Sequence, residues 1–138
     1  MKFLIEPYVG GGEILFGMNS QQIEETLSVK AIKFKKFEDD ELDTDAFDMC
    51  HIYYKNPGIC EAIEFFKSAI VIFSGVNLLE KSYYDVKKLF LALDEKTECD
   101  DSGLTSYKYG IGIYAPFATE EPLESAVGVI IFEEGYYD

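Results

Sequence analysis

The sequence predicts an α+β domain spanning residues 1–138, with a mainly antiparallel sheet of about six strands and two helices packed on it. Three observations lead there. Two segments carry helix caps followed by apolar residues at helical spacing. Six segments alternate with period two or run as β-branched residues. The helices fall in two places and the strands come in runs, which is the α+β pattern. The chain has 138 residues and, at about 150 residues per domain, one domain is expected. Folding at this length buries about two thirds of the unfolded surface.

The first structured unit starts at Ile14, after Gly10-Gly11-Gly12, which reads as a flexible lead-in. Asn19 is a good N-cap and Gln22 stands three residues on, as in a capping box. Ile23 and Leu27 lie four apart on one face, so a short helix over Ser20–Leu27 follows. The period then changes to two. In Ala31-Ile32-Lys33-Phe34-Lys35-Lys36-Phe37 the pattern turns Ile32 and Phe34 to the core and Lys33 and Lys35 to water. Residues 38–48 form an acidic loop. Residues 50–54 read as a strand, Asn56-Pro57-Gly58 as a turn, and residues 60–66 as a third strand. Residues 69–73 form a continuous β-branched and aromatic run, which predicts a central strand covered on both faces. Ser82 caps a second helix, with Asp85 in its first turn and Val86, Leu89, Phe90 and Leu93 along one face. Residues 97–108 read as a polar loop. Residues 109–115 and 126–132 are the last two strands, and residues 133–138 an acidic, aromatic tail. Phe16-Gly17-Met18-Asn19 and Ser74-Gly75-Val76-Asn77 echo each other ahead of the two helices.

The charge balance excludes several classes of function. Twenty-six Asp and Glu against twelve Lys and no Arg give a net charge of −14. Such a surface repels nucleic acid and anionic membranes and speeds encounter with cationic partners. The absence of Arg also removes the usual bidentate reader of phosphate. Residues 1–5 are too short an apolar stretch for a secretory signal. The uncharged residues 68–79 are too few to span a bilayer. Cys50, Cys60 and Cys99 are odd in number and unpatterned in spacing, as expected of free thiols in a reducing cytosol.

Motifs for chemistry are weak. His51 is the one histidine, and its neighbour Cys50 on a strand points to the opposite face. A dyad with Cys60 or Cys99 would need the sheet to bring them together. No Cys-x-x-Cys pair suggests zinc. Asp43-Thr44-Asp45 alternates carboxylates, but no glycine follows at the turn position and Ile52 stands where a calcium loop needs its closing Glu. Gly10-Gly11-Gly12 lacks the Gly-Lys-Ser/Thr ending of a phosphate loop. No catalytic residue, metal or cofactor is expected.

The acidic run is the strongest local signal. Glu38, Asp39, Asp40, Glu41, Asp43, Asp45 and Asp48 place seven negatives in eleven residues with no cation among them. It reads either as a solvated loop or as a docking surface for a cationic partner, together with Asp100 and Asp101. Leu42 and Phe47 within it favour docking, as apolar anchors in a charged surround.

The stretch Gly12-Glu13-Ile14-Leu15-Phe16-Gly17-Met18-Asn19-Ser20-Gln21-Gln22-Ile23 resembles the opening of small acidic bacterial immunity proteins. These neutralise polymorphic toxins, including those of contact-dependent growth inhibition systems. The strand ending at Gly75, the amphipathic helix after it and Tyr109-Gly110-Ile111-Gly112-Ile113-Tyr114-Ala115-Pro116 are similar as well. Where such proteins often carry Gly-x-Pro after the first helix, this chain has Ser28-Val29-Lys30. The resemblance implies a cytoplasmic protein that binds a cationic toxin, a nuclease, and occludes it stoichiometrically without a reaction of its own. The alternative is an acidic nucleic-acid mimic that occupies a DNA- or RNA-binding protein. A third reading is an enzyme built on a cysteine and His51.

Overall fold

Both helix caps form where the sequence puts them. Asn19 accepts from the Gln22 backbone N–H at 2.9 Å, and the Gln22 side chain accepts from the Asn19 N–H at 2.9 Å. Helix α1 therefore runs Ser20–Leu27 and buries Ile23 and Leu27. Ser82 accepts from the Asp85 N–H at 3.1 Å and opens α2, Tyr83–Leu93, which buries Tyr83, Val86 and Phe90. Leu89 and Leu93 are half-buried on the same side, so the predicted phase holds.

The computed structural model describes residues 1–137; Asp138, the end of the expected acidic tail, lies outside the described residues. The strands are β1 (Lys2–Glu6), β2 (Gly10–Gly11), β3 (Ile14–Leu15), β4 (Ile32–Phe34), β5 (Thr44–Ala46), β6 (Cys50–Lys55), β7 (Ile59–Phe66), β8 (Ile70–Phe73), β9 (Val76–Asn77), β10 (Glu98–Asp100), β11 (Gly103–Ser106), β12 (Ile111–Tyr114) and β13 (Gly128–Phe132). The class is α+β with two helices and mostly antiparallel strands, but the described residues hold 13 strands in two sheets rather than about six in one. The smaller sheet has the order β3-β2-β1-β8-β9, with β1 and β8 parallel. The larger has the order β10-β11-β12-β13-β7-β6-β5-β4 and is antiparallel throughout.

The larger sheet is built from two alike halves. Helix α1 is followed by β4 to β7 as a four-strand meander, and α2 by β10 to β13 as another. The halves join along β7 and β13, where Glu64 stands opposite Ile130. The echo of Phe16 to Asn19 in Ser74 to Asn77 sits just ahead of the helix of each half.

Both helices and the smaller sheet lie on one face of the larger sheet. Phe3 of β1 packs on Phe65 of β7 with ring centroids 4.7 Å apart. A Cβ on Gly11 would stand 3.1 Å from the Phe65 ring and 3.2 Å from Ile131. Gly10 and Gly11 are thus a buried strand that lets two sheets approach, not a flexible lead-in. Asp94, at the end of α2, accepts from the Ser106 hydroxyl at 2.7 Å. That hydroxyl and the Lys96 N–H hold its carboxyl below the usual range despite burial. Phe90 stacks on Phe73 at 5.4 Å and 10°.

Three further expectations are corrected. The run at 69–73 is interior to the smaller sheet, but Ala69, Val71 and Phe73 turn inward while Ile70 is exposed. It therefore has one covered face. Residues 97–108 hold β10 and β11, with Leu104 and Ser106 directed inward. An edge strand such as β10, Glu-Cys-Asp, carries charge and shows no apolar signal. The face of β4 is also inverted. Ile32 is 76% exposed and Phe34 stands on the same outer side, while Lys33 turns in to Asp45 at 2.6 Å.

Candidate partner-binding surface

Neither helix covers the outer face of the larger sheet; Tyr8 and Tyr136 bury its strip through Tyr53, Ala62 and Phe132, and the rows beside that strip are open. The strand registers run one row of outward positions straight across it: Ile32, Ala46, His51, Glu64, Ile130, Gly112, Thr105 and Glu98. Eight strands at ~4.8 Å spacing make this row about 34 Å long. Its first three positions, Ile32, Ala46 and His51, are apolar or aromatic. His51 packs edge-on between Phe34 at 5.3 Å and Phe66 at 4.7 Å. Burial lowers the His51 pKa, while Glu64 opposes the shift. Past the seam, Tyr107, Phe132, Tyr136 and Tyr137 form a ring cluster, which Tyr8 joins by donating to the Tyr107 carbonyl.

The acidic run borders this face at its β4–β5 edge. Glu38, Asp39 and Glu41 are exposed, and Asp40 accepts from the Phe37 N–H at 3.0 Å. Asp43 pairs with Lys35 at 3.3 Å, both half-exposed, and Asp48 is exposed beyond β5. Together with Lys36, Tyr53 and Tyr136, residues 39–43 of the run line an open cleft of about 420 Å³.

Two of the anticipated docking residues are placed elsewhere. Asp45 belongs to β5, is 0% exposed and faces inward. One oxygen accepts from Lys33 at 2.6 Å; the other accepts from the Tyr54 hydroxyl at 2.6 Å and from the Ser20 hydroxyl. It is therefore a core carboxylate. Phe47 is likewise part of the core rather than an exposed anchor. Asp100 and Asp101 are exposed, but at the β10 edge, the opposite end of the sheet from the run. The two acidic groups border one face from opposite sides and do not form one patch.

The cysteines and His51 are kept apart. Cys50 and Cys60 are buried on the inner side, where burial pushes both thiols up to about 12. His51 stands on the outer face, and Cys99 is exposed on β10 at the far edge. Ser20, Lys33 and Asp45 do meet, with the Lys33 ammonium donating to the Ser20 hydroxyl at 2.9 Å. The ammonium also pairs with the Asp45 carboxylate at 2.6 Å. Among the described residues no group of His, Cys, Asp or Glu is placed to hold a metal ion. No helix among them is long and apolar enough to cross a membrane.

The outer face is not legible in the sequence. Its one signal was Ile32 and Phe34 alternating with lysines, which reads as a buried face wherever the sheet is roofed. The fold and surface define an α+β protein with one face of its larger sheet roofed by helices and the other only partly covered. Comparison with family models, curated proteins and solved structures gives no match.

Proposed function

We propose that the protein is an immunity protein. It would bind a cationic antibacterial toxin, a nuclease, in the cytoplasm and occlude it stoichiometrically, with no reaction of its own. The observation that carries this reading is the exposed acidic run set at the rim of an open, aromatic-rich sheet face in a chain of net charge −14. An apolar centre with a charged rim is the anatomy of a protein interface. Opposite charge on the partner then speeds encounter and fixes orientation. The row through Ile32, His51 and Ile130 is unlike the evenly spaced carboxylates that would imitate a phosphate backbone, so the nucleic-acid mimic is the weaker reading.

The rim charges should act mainly on the rate of association. Replacing Glu38→Gln, Asp39→Asn and Asp43→Asn together is expected to slow association with the product of any toxin gene found adjacent to its own by about tenfold at low salt, with a flatter salt dependence. Dissociation should change little. Surface-based kinetics at low and physiological salt measures both. Association as fast as wild type at both salts would reduce the run to a solvated loop.

A further inference from the structure

We propose that the open face of the larger sheet is itself the partner's seat, and that its glycine-floored trough receives a lysine or arginine side chain of a protein partner. The proposal rests on the binding role above and adds the surface and the chemistry recognised. On β11 and β12 the outward positions include Gly103 and Gly112. The missing side chains leave an open trough of about 520 Å³ walled by Glu64, Thr105, Tyr114, Ile130, Glu98 and Asp100. The floor tolerates nothing larger. A Cβ on Gly103 would stand 1.8 Å from the Ile113 carbonyl oxygen, and one on Gly112 2.8 Å from Ile130.

Charge selects the occupant. The outward residues of β7 and β10 to β13 include three carboxylates, Glu64, Glu98 and Asp100, and no lysine. The other half of the face shows how a cation sits there. On β6, Tyr53 is covered by the chain's own Lys36, whose ammonium lies 4.3 Å from the ring centroid, and donates its hydroxyl to Glu64. On β12, the corresponding strand across the seam, Tyr114 is 50% exposed. An aromatic face beside a carboxylate attracts an ammonium or guanidinium. A small cationic ligand would want an enclosed pocket. This trough is open and continuous with the rest of the face. The row of about 34 Å crosses strands of three to eight residues, a span that suits a protein surface rather than a small ligand.

Two probes test the inference, each against wild type, Thr105→Trp, which fills the trough, and the pair Glu98→Gln with Asp100→Asn. The first is the product of any toxin gene found adjacent to the protein's own, followed by calorimetry. The second is the peptide acetyl-Gly-Lys-Gly-Lys-Gly-amide, followed by amide shifts of the labelled protein. Thr105→Trp is expected to weaken toxin binding about tenfold or more and the charge pair about fivefold. Unchanged melting of each variant establishes that the fold is kept; a variant that fails to fold is replaced by Tyr114→Ala, with the same expectation. The peptide should shift the amides of Gly103 and Gly112 in wild type and not in Thr105→Trp. Toxin binding that is unaltered by every folded variant overturns the inference and leaves the immunity reading standing. Lack of toxin binding with retained peptide shifts at Gly103 and Gly112 overturns that reading and leaves a cation seat of other purpose.

Discussion

Phe90→Ala is expected to lower the unfolding free energy by about 3–5 kcal/mol, the usual cost of truncating a buried Phe. The ring is fully buried on the inner side of α2 and stacks on Phe73, which in turn meets Tyr109 edge-on at 5.1 Å. It therefore joins α2, the smaller sheet and the segment before β12. Deleting it removes apolar burial and leaves a void between elements that cannot all close on it. A domain has only about 5–15 kcal/mol in total, so much of the stability would go. The urea midpoint should fall with the slope unchanged. Leu91→Ala, on the exposed side of the same helix, should stay within about 0.5 kcal/mol of wild type. An unchanged midpoint for Phe90→Ala would remove α2 from its assigned packing.

The second large effect is expected at Asp45→Ala, with a loss of about 3 kcal/mol. Its carboxylate gathers Ser20 at the start of α1, Lys33 of β4 and Tyr54 of β6 onto β5. Removing it strands two buried-side hydroxyls and an ammonium that the fold has aimed inward. Lys33 can turn partly to water because it is half-exposed, which keeps the loss toward the low end for a broken buried pair. Asp39→Ala, in the same acidic run but exposed, should change stability by less than about 0.5 kcal/mol. Equal melting of the two variants would mean that Asp45 is solvated as its neighbours are.

Asp45 also marks the limit of what the sequence discloses. Caps act within a turn, so Asn19, Gln22, Ser82 and Asp85 disclose both helices, and helical spacing discloses which side of α2 is buried. Pairing across the chain is not local. Gly10 and Gly11 read as flexible because nothing nearby shows that Phe65 and Ile131 will lie against them. Lys33 and Asp45 each look like water-facing charges, and only their pairing makes both inward. The same inversion turns Ile32 and Phe34 outward and creates the open face. For the surface, net charge and the acidic run were legible, but the register that carries a row from Ile32 to Glu98 was not. Nor was the separation of Asp100 and Asp101 from the run, since it follows from strand order alone.

An inhibitor that acts by binding alone, as proposed, is consumed mole for mole. The most direct test is to titrate the product of any toxin gene found adjacent to the protein's own with this protein while following toxin activity. The expected result is a linear fall that reaches zero at one molecule of this protein per molecule of toxin, with the pair recovered intact as a complex. Full inhibition at a small fraction of that ratio, or a covalently altered toxin, would contradict it.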